Sequence, residues 1–339
     1  LSAVGLQDWG CGLWRGRERL LAMETEAFVE GAQREEEDDE EDNENWTDLE
    51  RFQNFTTSQH PLRRLVSARG LEETVKKLTI ADAVDHCLPL LNQAAEDEES
   101  SVRDALSAQL APALRELLGR ARGDESTALV DCVWPLSLTL LKDKDQQVRA
   151  VAEDAVIEYA SVLPPALLNN RILDDIIAMS QQDAEDERMT CVKLLGELAF
   201  ALKQDVLVNR VAPVVVALAG DSMFRVRKAA ALYIGKVCRW SPKGFSVSDL
   251  LPVYLSLAED EIWGVRKACA ESIADVASSL SPQVRTETLI PLFETLATDA
   301  SRWVRNSAFQ HLGPLIGNLT SAEVTPKLLE LFSSMALSK

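Results

Sequence analysis

The sequence predicts an all-α protein: a solenoid of stacked helical hairpins behind an acidic N-terminal tail. Three observations predict it. A short pattern of an Asp, a turn and an Arg recurs six times, and four successive intervals between its arginines are 39 residues. Small residues crowd the stretch after each Arg, as in Lys228-Ala229-Ala230-Ala231 and Lys267-Ala268-Cys269-Ala270, where helices must approach closely. Glycine (15) and proline (13) are sparse among 339 residues, and 46% of the chain is apolar, which favours long helices around a core over turn-rich strands.

The six units read Asp97 to Arg103, Asp143 to Arg149, Asp183 to Arg188, Asp221 to Arg227, Asp260 to Arg266 and Asp299 to Arg305. In five of them Val precedes the Arg; the third has Glu187 there, and its Asp-to-Arg spacing is one residue shorter. The first interval is 46 residues, and Gly119–Glu125 is expected to hold the seven extra ones. Each unit opens with an apolar helix that often carries a proline, as in Leu88-Pro89-Leu90, Trp134-Pro135-Leu136, Leu251-Pro252-Val253 and Ile290-Pro291-Leu292. Proline is tolerated in a first turn, where its missing N–H costs nothing, so these prolines are expected to mark helix starts. A period near 40 with two helices per unit is the HEAT class, and such hairpins bury their apolar faces only by stacking. The expected units are 84–121, 128–163, 165–203, 205–240, 245–280 and 284–318, with a partial seventh at 322–339 that ends mid-unit. The solenoid is expected over 62–339.

Residues 1–61 are expected to form a disordered acidic tail. Residues 23–50 hold fourteen acidic residues against one basic, Arg34, and Glu35–Glu44 is acidic everywhere except Asn43. Such density of like charge repels itself and leaves little apolar surface to bury. The tail reads either as a solvating segment or as an arm that docks on a basic groove. Residues 1–22 make a poor secretory signal and read as a non-native lead-in before Met23. The net charge of −19 (54 acidic, 35 basic residues) argues against nucleic acid and anionic membranes as partners. No apolar run reaches the length of a membrane-spanning helix. Six cysteines without a CxxC pair read as reduced thiols of an intracellular protein; the expected location is the cytoplasm, with the nucleus as a second candidate.

No enzyme site is legible. His60, His86 and His311 are far apart in sequence, and no ligand set has metal-site spacing. No phosphate loop or nucleophile elbow occurs, and Gly10, Gly12 and Gly16 have the wrong spacing for a dinucleotide motif. No cofactor is expected. The repeated Asp and Arg read as a structural ladder in which the Asp caps the second helix and the Arg reaches the Asp of its own or a neighbouring unit. The alternative is a phosphate-binding stripe of arginines.

The last two full units carry a more specific signal. Ile262-Trp263-Gly264-Val265-Arg266-Lys267-Ala268-Cys269-Ala270-Glu271 and Ser301-Arg302-Trp303-Val304-Arg305, with Ala308-Phe309-Gln310 and Leu312-Gly313-Pro314, closely resemble regulatory subunit 1 of serine/threonine protein phosphatase 4. The turn Phe224-Arg225-Val226-Arg227-Lys228 fits the same family. The resemblance is strongest over 205–318 and holds as a repeat pattern back to 84. It implies a HEAT array that acts as a non-catalytic regulatory subunit, binding a phosphatase catalytic subunit and directing it to phosphoprotein substrates. In the related phosphatase 2A scaffold, intra-repeat turns grip partners. Members of the family are longer than this chain, with further repeats.

From the residues themselves, Phe224, Trp263 and Trp303 fall in successive intra-repeat turns. Stacking is expected to align them along one edge beside Arg225, Ile262 and Arg302. Large aromatics flanked by arginines are the stuff of binding hot spots; the alternative is that each ring packs on its own hairpin. The competing functional reading is a HEAT adaptor of transport-receptor type that binds cargo or a small GTPase.

Overall fold

The computed structural model describes residues 46–337, with side chains as far as residue 333. The acidic run, residues 1–22 and the Gly10, Gly12, Gly16 group lie outside the described residues. Every regular element within them is helical. The chain is an all-α HEAT-repeat solenoid whose second helices stack in series: Ser100–Arg120, Gln146–Ala160, Glu185–Glu197, Phe224–Trp240, Trp263–Ser279 and Arg302–Ile316. Each hairpin turns within its unit at one edge of the solenoid. It passes to the next unit at the other.

The valine before each repeat arginine explains why the second helix begins where it does. Val102, Val148, Val226, Val265 and Val304 are all fully buried, one per unit. Burying such a side chain is worth about 1.5–3 kcal/mol, so each anchors its helix end in the continuous core. The third unit replaces this valine with Glu187, which stays half-buried and reaches Lys142 at 3.0 Å. Small residues then bring neighbouring second helices together. A Cβ placed on Gly196 would sit 2.7 Å from the Cβ of Tyr233, and one on Gly235 2.9 Å from the Cβ of Asp275. Ser272 donates its hydroxyl to the carbonyl of Ala231 at 2.7 Å across the same contact.

Three expectations are corrected. First, order does not begin at 62. Helix Asp48–Thr56 precedes it, opened by a capping box in which Thr47 and Glu50 satisfy each other's amides. Phe52 is buried, and the Thr56 hydroxyl bonds that of Ser67 at 2.6 Å. This helix and the pair Pro61–Arg69 and Leu71–Lys77 form a further unit ahead of the predicted first. An amphipathic nonapeptide with a capping box can fold against a neighbour despite the acidic stretch before it.

Second, the prolines open the α-helical segment of a first helix, as in Leu251–Ala258 and Ile290–Ala297, but the helical run itself begins earlier. Pro89, Pro213, Pro252 and Pro291 each lie nine residues inside a helical run, at Ile80, Gln204, Lys243 and Pro282 respectively. Before each lies a five-residue π-helical segment: Ala83–Cys87, Leu207–Val211, Ser246–Leu250 and Arg285–Leu289. Proline lacks the N–H for its helical bond and its ring collides with the carbonyl four residues back, and the wider turn relieves both. The third unit makes the same turn, Leu168–Ile172, with Asp174 in proline's place, so proline is not its sole cause. Third, the extra residues of the first interval go mostly into the second helix rather than a loop. Ser100–Arg120 has 21 residues, and only 121–124 remain as a turn, where Gly123 takes a φ of 57°.

Candidate functional site

The repeated Asp and Arg form a ladder that runs one way along the solenoid. Arg103 donates Nε and Nη2 to both carboxylate oxygens of Asp143, at 2.6 and 3.0 Å. Arg188 does the same to Asp221, Arg227 to Asp260 and Arg266 to Asp299. Each arginine spends its remaining Nη1 on its own turn: that of Arg103 meets the carbonyls of Asp97 and Glu98, and that of Arg227 meets Asp221 and Ser222. So the Arg takes its own unit's aspartate by the backbone and the next unit's by the side chain. Such bidentate, charge-assisted pairs fix geometry as well as adding energy.

The aspartate does not cap the helix's first turn as expected. Its carboxylate accepts the amide two residues on, which belongs to the residue just outside the second helix: Glu99, Asp145, Met223, Ile262 and Ser301. It therefore shapes the turn itself. Burial opposes ionisation of Asp97, Asp143, Asp221 and Asp260, but the arginine and turn-amide bonds outweigh it, leaving each carboxyl below its usual range. In Asp299 the bond from Arg266 is the largest influence, and the carboxyl is again lowered.

Two rungs depart from this pattern. Asp183 stands one residue too close to its helix for the turn geometry, so Arg149 passes over it and pairs with Asp186 at 2.8 Å. Arg305 meets the carbonyls of Asp299 and Ala300 and has no carboxylate partner among the described residues. The sequence reading missed one rung. Arg64 takes Asp97 at 2.6 and 3.0 Å and holds the carbonyls of Ser58 and Gln59, as the other arginines hold their own turns. Its position 39 residues before Arg103 was the available signal; it was hidden because Ser58 and Arg63 replace the usual Asp and Val. With their guanidiniums committed, these arginines make a poor phosphate stripe.

The aromatic turns lie beside the ladder. Phe224, Trp263 and Trp303 are 43%, 46% and 48% exposed, with Met223 at 41% before them. Trp263 and Trp303 stack on each other across the unit boundary, ring centroids 6.4 Å apart and planes 28° from parallel. Their registers differ by one: Trp263 opens its helix, whereas Arg302 opens the next one and Trp303 follows. The Arg302 guanidinium lies 4.6 Å over the Trp303 ring, which extends the stack to three planar groups. Ile262 is half-buried against the core, and its N–H donates to the Asp260 carboxylate. Arg225 is not free, since Glu185 of the preceding unit engages it at 2.6 Å. The opposite edge carries a second exposed set that sequence reading did not single out: Val162, Phe200 and Trp240, each near the end of a second helix.

Other chemistry is sparse. Among the described residues no group of three or more His, Cys, Asp or Glu is arranged to hold a metal ion. Cys87, Cys191 and Cys238 are buried, and burial pushes their thiols up to about 12, so they are poor nucleophiles.

Stacked helical hairpins tied by a one-way Arg–Asp ladder, with exposed aromatics at their turns, define a helical-repeat solenoid. Residues 245–320, the units of Trp263 and Trp303, match a family model described as PPP2R1A-like HEAT repeat. No curated protein matches the sequence. Among solved structures the chain is similar to the karyopherin Kap121p bound to the extreme C-terminus of the protein phosphatase Cdc14p. Identity there is 14%, the TM-score 0.57, and coverage 86% of this chain and 31% of that one. Kap121p bound to Pho4p gives 16%, 0.56, 86% and 31%. The Kap95:Nup1 complex gives 15%, 0.55, 84% and 37%. The chain thus spans about a third of the length of the structures it resembles, and the likeness is one of fold.

Proposed function

We propose that this chain is a non-catalytic scaffold that binds a phosphatase 4-like catalytic subunit through its intra-repeat turns and directs it to phosphoproteins, in the cytoplasm and also the nucleus. One observation carries the reading: the exposed Trp263–Trp303–Arg302 stack, in the two units whose sequence matches the phosphatase-scaffold repeat family. Exposed aromatics cost a solitary protein solubility, and stacked on each other they offer a ready apolar platform to a partner. Replacing both Trp263 and Trp303 by alanine is expected to lower affinity for the purified catalytic subunit by about 2 kcal/mol or more, measured by calorimetry. Unchanged affinity in a folded double variant would exclude the turns as the binding site.

A second reading has its own support. Folds similar to this one include karyopherins, among them Kap121p bound to Pho4p, which favours an adaptor of transport-receptor type that takes cargo or a small GTPase. Parallel titrations of the full chain with a phosphatase catalytic subunit and with a GTP-loaded small GTPase separate the two.

A further inference from the structure

One seam of the stack is built unlike the others: the seam between the second helices Gln146–Ala160 and Glu185–Glu197. These two helices touch only lightly, whereas the neighbouring pairs of second helices on either side pack closely. The cause lies in the side chains at the contact. Four residues after its ladder arginine the fourth unit has Ala231 and the fifth has Ala270, both fully buried. The second unit has Glu153 there. A carboxylate at that point props the helices apart, where a methyl group lets them close. A cavity of about 140 Å³ opens between them, lined by Gln146, Arg149 and Glu153 on one helix and by Asp186, Met189 and Thr190 on the other.

What crosses this seam between the second helices is polar and long. Arg149 meets Asp186 at 2.8 Å, and Lys142 meets Glu187 at 3.0 Å. Lys193 donates to Glu153 at 2.8 Å and to Asp154 at 3.2 Å, and the Thr190 hydroxyl donates to Glu153. Ion pairs on long side chains follow a change in helix spacing by changing rotamer, which interlocked small residues cannot do. The first helices are fastened differently. Trp134 is buried and donates its indole N–H to Asp175 of the next unit at 2.7 Å, and Arg171 meets Asp131 at 3.4 Å. The seam is thus pinned on its first-helix face and loose on its second-helix face.

We propose that this seam is a hinge. The units up to residue 160 and those from residue 165 onward turn about the Trp134–Asp175 contact, and the cleft between the two second helices widens and narrows as they do. Repeats of this kind interact only with their neighbours, so one weak interface localises the bend. The Trp263–Trp303 stack rides wholly on the second block. The motion therefore shifts it against the turns of the first two units without disturbing its own geometry. A partner that grips turns on both sides of the seam selects one opening.

Spin labels on three exposed turn residues test this: Lys144→Cys, Ser222→Cys and Ala300→Cys, combined in pairs in the full chain with Cys11→Ser and Cys132→Ala. The three positions stand two repeats apart, so each pair spans two seams, and only the Lys144–Ser222 pair spans the hinge. Pulsed electron–electron resonance is expected to give a distance distribution about twofold wider, or more, for that pair than for Ser222–Ala300. Salt should widen it further and leave the reference pair unchanged, because the screening length falls from about 10 Å at 0.1 M to about 3 Å at 1 M. Glu153→Ala with Glu187→Val gives the seam the side chains of its tighter neighbours and is expected to bring the width down to that of the reference. Equal widths for the two pairs at both salt concentrations would overturn the proposal, as would a folded double variant that keeps the parent's width.

Discussion

The third unit and the fifth unit use the same hairpin but hold it differently. In the fifth, Val265 is fully buried, Asp260 shapes the turn, and Arg227 donates to both oxygens of that aspartate, the pair's side chains 17% and 9% exposed. In the third, Glu187 stands in the valine's place, Asp183 is out of register, and Arg149 reaches an Asp186 whose side chain is 43% exposed. The second helix of the third unit packs closely on that of the fourth but only lightly on that of the second, so the seam is loosest where the rung is displaced. The difference separates two jobs. Apolar packing between small-residue helices makes the solenoid, whereas the ladder sets the register of one unit on the next.

The comparison can be broken at its strongest rung. Asp143→Ala leaves Arg103, only 4% exposed, without its partner. Removing one member of a buried pair costs about 3–5 kcal/mol. Because repeat arrays unfold unit by unit, the expected loss is best read as faster hydrogen exchange in 100–120 and 146–160. A packing test comes next. Gly235→Ala pushes a Cβ to 2.9 Å from that of Asp275 and 3.0 Å from the Ser272 carbonyl, a cost of about 1–3 kcal/mol that outweighs the gain in helix propensity. Gly313→Ala, with nothing within 4 Å, should instead stabilise by up to about 1 kcal/mol, and thermal unfolding of the two variants checks the contrast.

Acid probes the rungs together. The ladder aspartates are held below their unfolded value, so their contribution is complete above about pH 4 and is lost as pH falls through the lowered folded values. Glu323, gripped by Arg285 at 2.7 Å, falls from 4.5 to about 2, so its share is lost between those values on acidification. Unfolding midpoints measured from pH 5 down to pH 2 should fall, and less steeply in Glu323→Gln. The smallest effects are expected at the third rung and the aromatic turns. Asp186→Ala should cost no more than about 1 kcal/mol, as exposed ion pairs do. Trp263→Ala should change stability by about 0.5 kcal/mol or less while acting on binding.

The repeat was legible because its signals are covalent neighbours at a fixed period: Val-Arg after Asp, small residues after both. The unit around Arg64 was not, since only the 39-residue spacing survived there and both flanking residues changed. Proline misled for a physical reason. In most helices it does mark a first turn, and only the π-helical widening, a matter of hairpin packing, carries it nine residues inside. The turn aromatics were legible as positions but not as a stack. A one-residue offset between Trp263 and Trp303 gives no hint in sequence that their rings meet. The ladder's direction was equally hidden, because the spacing of Asp and Arg allows a bond within a unit as readily as between two.

That direction has a consequence for assembly. Every rung has its arginine on one unit and its aspartate on the following one. The array is therefore polar, like a row of hooks and eyes. A unit grafted after Arg305 would mate only if it offered an aspartate at its turn, and a unit joined in reverse would set arginine against arginine. Contacts of this kind are heterologous, head to tail. Repeats carrying this turn can be concatenated in one sense only, with no self-complementary face to close a two-fold pair along the ladder.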